Sequence, residues 1–131
     1  MNDFIDYKCA VNSITNGRGD RMKIEVGHGE SGPFTLLDGA TSGLSAVLGV
    51  ASTRGVSLIL TGNGSVSAGS VLVETSADPD FGGQWAPYGA PITIVPGNTL
   101  VSWTGLLAWV RCRVVSPIVG GTLTITATCS F

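Results

Sequence analysis

The sequence predicts an all-β domain, an antiparallel β-sandwich or jelly roll of about eight strands with an extended N-terminal arm. Three observations carry that expectation. Short apolar stretches alternate with polar residues at the spacing of a strand, Gly and Pro turn signals separate them, and no long segment sustains a helical period. The chain has 131 residues, 44% of them hydrophobic, enough for one domain with one core.

Residues 1–19 include Asn2, Asn12, Asn16, Gly17 and Gly19 and show no period, so they are expected to form the arm, with 20–131 as a single β-sandwich domain. Phe4, Ile5 and Tyr7 would anchor the arm, either on a neighbouring subunit or on the domain itself. The first strand is expected over 21–26, where Met22, Ile24 and Val26 alternate with Arg21, Lys23 and Glu25. Further strands are expected over 34–37, 56–61, 70–75, 92–95, 100–103, 109–115 and 122–129. A short helix is admitted only over 42–51. The turn signals are Gly62-Asn63-Gly64, 78–83, Pro96-Gly97-Asn98 and Gly120-Gly121.

The last two of these strands are the most explicit. Leu123, Ile125, Ala127, Cys129 and Phe131 are expected to face the core, with Thr122, Thr124, Thr126 and Thr128 outward, because a one-residue slip would bury the threonines. In the strand before, Ala108, Val110, Cys112 and Val114 are assigned to the core. Trp109, Arg111, Arg113 and Val115 form the other face. A Trp beside two guanidinium groups can stack, pair with carboxylates and lose water readily, which suits an interface. The plainer reading is an Arg laid over a Trp on an exposed sheet.

Charge is unevenly placed. Ten of the 16 charged residues precede Gly39, and the 93 residues from there on hold only Arg54, Glu74, Asp78, Asp80, Arg111 and Arg113. The rest is rich in Ser and Thr, 13 of each in the chain. A free monomer commonly carries mixed surface charge, so this neutral body reads as a surface that meets other protein, or else as a hydrated Thr-rich β surface. Seven Lys plus Arg against nine Asp plus Glu leave no basic footprint for nucleic acid. No apolar run reaches the length of a membrane span. Asp3 and Asp6 stand where a secretory signal would be basic, so no export signal is expected.

The chemical motifs are weak. Cys9, Cys112 and Cys129 have no metal-ligand spacing; a final hairpin around 117–121 would set Cys112 opposite 125–127, so buried free thiols are expected. Gly27-His28-Gly29-Glu30-Ser31-Gly32 matches a dinucleotide-binding pattern only in form, because Pro33 and a strand follow it instead of a helix. His28 has no serine elbow with which to build a triad. Asp78 and Asp80 read as turn carboxylates before a calcium site, which needs six or more oxygens. Arg18-Gly19-Asp20 and Asn63-Gly64-Ser65 both read as turns. No convergent catalytic site is visible, so no enzyme and no cofactor or metal is expected.

The run VSLILTGNGSVSAGSVLVETSADPDFGGQWAPYG at 56–89, followed by VRCRVVSPIVGGTLTITATCSF at 110–131, resembles small β-sandwich virion proteins of tailed bacteriophages. The resemblance implies a structural virion component. A head decoration or cement protein is its first form, often a homotrimer, which clamps the major capsid lattice from outside; related sandwiches occur in tail and fibre parts. The implied partners are the major capsid protein and copies of the chain itself, without nucleic acid or membrane. The implied location is the capsid surface of a virion made in the host cytoplasm. The resemblance supplies no site residues; the arm and the strand face give Phe4, Ile5, Tyr7, Trp109, Arg111 and Arg113 as the expected interface residues. The alternative is a carbohydrate-binding module or adhesion protein, with Trp85, Tyr88, Trp103 and Trp109 as stacking platforms and Asp78 and Asp80 bonding hydroxyls.

Overall fold

The structure is a computed structural model and describes residues 23–27, 29–51, 53–77, 85–104 and 108–131. Its strands in chain order are β1 (Lys23–Glu25), β2 (Phe34–Ala40), β3 (Val47–Gly49), β4 (Gly55–Ser76), β5 (Ala86–Pro87), β6 (Ile92–Thr93), β7 (Gly97–Thr104) and β8 (Trp109–Ser130). All eight join one mixed sheet, and the all-β expectation holds. Phe4, Ile5, Tyr7 and the whole of 1–19 lie outside the described residues, as do His28, Asp78 and Asp80.

Two long strands organise the sheet. β4 and β8 each run 22 residues and pair antiparallel from Gly55 opposite Ser130 to Ser76 opposite Trp109. β2 and β3 lie along the other edge of β8, and β7, β6 and β5 lie in turn along the other edge of β4. β1 adds to β3 in parallel.

The sheet doubles back on itself. On a straight strand Val56 and Val73 would stand about 56 Å apart, yet both belong to one buried cluster with Leu48, Val110 and Leu123. The flanking chain shows where the fold occurs. Residue 93 pairs with Ser70 and residue 97 with Gly62, so four steps of flanking chain match eight of β4. On the other side, Ala40 pairs with Leu123 and Leu44 bridges Arg113, so four steps match ten of β8. Register shifts in the β4–β8 ladder between Gly64 and Val71 accompany the bend, as bulges do. Core positions change parity across it, from Leu58 and Leu60 to Val71 and Val73 in β4, and from Val110 and Cys112 to Leu123 and Ile125 in β8.

Two sequence expectations change here. Gly62-Asn63-Gly64 and residues 117–121 are not hairpin turns: the strands expected over 56–61 and 70–75 are one strand, as are those over 109–115 and 122–129. Asn63-Gly64-Ser65 is therefore strand. The glycines serve the bend instead of a reversal. Gly120 takes φ 86°, and a Cβ on Gly121 would overlap the Asn63 carbonyl oxygen. Cys112 consequently faces Val73 and Cys129 faces Val56 across the ladder.

The second change concerns 42–51, where the structure has a bridge at Leu44 and strand β3 in place of a helix. Ser45 through Val50 are buried without a break, which removes the exposed face an amphipathic helix needs and suits a strand with neighbours on both edges. The assignment of faces elsewhere holds. Val110, Cys112, Leu123, Ile125, Ala127 and Cys129 are buried, although the terminal Phe131 is exposed.

Candidate interaction surface

Cross-strand register builds the main polar cluster. Glu74 of β4 lies directly opposite Arg111 of β8, and Arg113 lies two pairs along, opposite Leu72. Alternation puts all of these side chains on the sheet face away from Val71, Val73 and Cys112. The Glu74 carboxylate accepts from Arg111 Nε at 2.8 Å through Oε1 and from Arg113 Nε at 3.1 Å through Oε2. The Arg111 guanidinium also lies 4.3 Å from the ring centroid of Trp85, a cation–π distance. Glu74 is only 5% exposed, a burial that a carboxylate sustains when paired and hydrogen-bonded.

Trp109, Arg111 and Arg113 therefore share a face as expected, but all three are engaged within the molecule, Arg113 least completely. The Trp109 ring lies over Gly49, where a Cβ would come within 2.7 Å of it, and its carbonyl accepts from Thr75 Oγ1 at 2.9 Å. The Arg111 side chain is 16% exposed, whereas that of Arg113 is 45% exposed and keeps part of its guanidinium in water. The Arg–Trp stack of the plainer reading exists, with Trp85 as the ring.

Glu74 is the residue that sequence reasoning missed. Its local signal was partial: in the run Val71-Leu72-Val73-Glu74, alternation sets Glu74 on the face opposite the valines, but nothing local brings it to Arg111 and Arg113. Only the long-range register reveals the match.

Behind this cluster the core side of β8 is closed. Ser45 clamps Cys112, donating its backbone N–H to the Cys112 carbonyl at 2.9 Å and accepting the Cys112 N–H on Oγ at 2.9 Å. Cys112 and Cys129 are free and buried. Burial, and then the charge of Glu74, push the Cys112 thiol up to about 12; burial also raises Cys129. Both stay neutral at ordinary pH and are poor nucleophiles.

The other half of the sheet presents a different surface. Leu100, Ile59, Thr126 and Thr35 form one row across β7, β4, β8 and β2, and Asn98, Thr61 and Thr124 form part of the next. Short polar side chains tie the rows together: Thr61 Oγ1 donates to Asn98 Oδ1 at 2.8 Å, and Asn63 Nδ2 donates to Thr124 Oγ1 at 3.0 Å. The paired segments 55–64, 97–104 and 121–130 contain no Lys, Arg, Asp or Glu, and the charges beside them are Asp38 of β2 and Arg54, which precedes Gly55 and donates its backbone N–H to the Ser130 carbonyl.

The four aromatic residues do not assemble into one platform. Trp85 carries Arg111, Trp109 covers Gly49, and Trp103 is buried with Tyr88 tilted against it at a centroid distance of 5.4 Å. Tyr88 remains 41% exposed.

No protein-family model matches the chain, and no curated protein sequence matches it. Among solved structures, the crystal structure of SPBc2 prophage-derived protein YomS has a similar fold, with a TM-score of 0.55 at 17% sequence identity, over 77% of this chain and 94% of YomS.

Proposed function

We propose that this chain is a non-enzymatic structural protein of a tailed-bacteriophage virion, first of all a capsid decoration or cement protein that binds and stabilises the major capsid lattice as a homo-oligomer. The observation that carries the reading is the shared fold with a prophage-derived protein over nearly all of that protein's length. The uncharged sheet face supports it. A lattice-binding subunit works through many weak contacts that symmetry repeats, and a broad neutral surface pays little desolvation to make them.

On this reading the contact residues shift within the face first expected. Trp109 and Arg111 hold the subunit together, and Arg113, paired with Glu74 through Nε but half-exposed, offers its remaining guanidinium nitrogens to an acidic residue on the lattice. Replacing Trp109 and Arg111 would damage the fold itself, so it is no clean probe of docking. The carbohydrate-binding alternative gains no support from the aromatic residues, three of which are engaged within the molecule.

The experiment is co-sedimentation of the purified chain with capsids of the phage whose genome encodes it, prepared without this protein. Saturable binding at a fixed ratio to the major capsid protein is expected. Capsids that sediment free of the chain, together with a virion that lacks it, would reject the proposal.

A further inference from the structure

The sheet has edges, and they are guarded unequally. On one side β2 follows Pro33, carries Asp38 and breaks register twice within seven residues. On the other, β5 and β6 are two residues each and lie among Pro87, Pro91 and Pro96. Proline, charge, short length and bulges are the usual means of blocking edge pairing. β7 also follows a proline, Pro96, but within the strand it has no guard: its eight residues, Gly-Asn-Thr-Leu-Val-Ser-Trp-Thr, are uncharged, free of proline and in unbroken register with β4. Its backbone hydrogen bonds all go to β4, so alternate N–H and C=O groups on the far edge have no partner among the described residues.

We infer that this edge is a self-association site, where β7 of one copy pairs antiparallel with β7 of a second copy about a two-fold axis normal to the sheet. The strand's own sequence argues for a second copy as the occupant. Such an axis keeps each face continuous, so paired residues have numbers of equal parity, and centring it on Leu100 sets Leu100 against itself. Asn98 then meets Ser102 of the partner subunit, and Thr99 meets Val101 of the partner subunit. No like charges meet, because the strand has none. Leu100 is the most exposed large hydrophobic residue of the described chain, at 66%, and it stands at the centre of the pairing. The contact is isologous and closes after two copies. It requires assemblies with an even number of copies, and it holds whether or not the assembly belongs to a virion.

Light scattering on the full chain and on Leu100→Lys, over a dilution series, tests the inference. The unmodified chain should be an even-numbered oligomer, and the variant should have half its mass with unchanged circular dichroism and urea midpoint. An unmodified chain with one or three copies, or a mass unaltered by Leu100→Lys, would overturn it. Mild oxidation of Leu100→Cys supplies the register: the expected product is a disulfide between the two copies of position 100, absent from the unmodified chain. A disulfide from position 100 to Cys9 would instead identify the N-terminal segment as the occupant and also overturn the inference.

Discussion

The two halves of the β4–β8 ribbon are built from the same two strands and are stabilised differently. In the half that holds Ser76 and Trp109, both faces of β4 are buried: Val71 and Val73 in the core, Leu72, Glu74 and Ser76 on the reverse. In the half that holds Gly55 and Ser130, the buried residues of β4 are mainly Val56, Leu58 and Leu60 on the core face, while Ser57, Ile59, Thr61 and Asn63 occupy the outer positions. The first half uses its outer face for internal ion pairing and stacking. The second leaves its outer face available to another molecule. Substitutions on the two outer faces should therefore report different things, stability in one half and association in the other.

The largest effect belongs to Arg111→Ala. It leaves the buried Glu74 carboxylate with the half-exposed Arg113 alone, at a cost of up to about 3 kcal/mol, read as a lower urea midpoint. Replacing Glu74 and Arg111 together by Leu and Met should restore most of it, since no lone charge is then left inside. A double variant as unstable as the single one would mean that the pair itself, and not the stranded charge, sets the stability.

At the bend between the halves, Gly121→Ala forces a Cβ onto the Asn63 carbonyl. Overpacking of this kind costs about 1–3 kcal/mol. A neutral result by thermal melting would mean that the two strands separate there at little cost.

The buried thiols sharpen the comparison through pH. Burial raises the thiol of Cys112 from its ordinary value of 9.0 to about 12, and it raises Cys129 too. Between these values the unfolded chain has lost thiol protons that the native chain retains, so their contribution to stability is complete below pH 9 and declines as pH rises towards 12. Urea titrations across that range should show the decline, and alkylation at pH 8 should reach positions 112 and 129 only after unfolding. Rapid native alkylation of either would contradict the closed core.

The smallest changes in stability are expected at the more exposed positions, one on the outer face of each half. Arg113→Ala, at a half-exposed site that leaves Glu74 its closer partner Arg111, should cost less than about 1 kcal/mol, and Thr126→Lys about 0.5 kcal/mol or less. Each should weaken capsid binding if its own face docks. Unchanged capsid occupancy in both variants would move the docking site elsewhere.

Much of this was legible in the sequence because it is local. Alternation located the core residues of β8, since one face is apolar and the other Thr or charged. The glycines at 62–64 and 120–121 were misleading for a physical reason: a bulged bend and a tight turn require the same backbone freedom, and only the partner strand distinguishes them. β3 was hidden because continuous burial erases the period that marks a half-exposed strand. The Glu74 site was illegible until register joined residues 37 and 39 apart in the chain.

The most direct test is electron microscopy of virions of the encoding phage beside particles from a deletion of this gene. The account predicts symmetric density on the capsid exterior that disappears in the deletion and accommodates the β4–β8 ribbon with its uncharged face covered. Identical particles from both strains, with the purified chain solitary in solution, would contradict it.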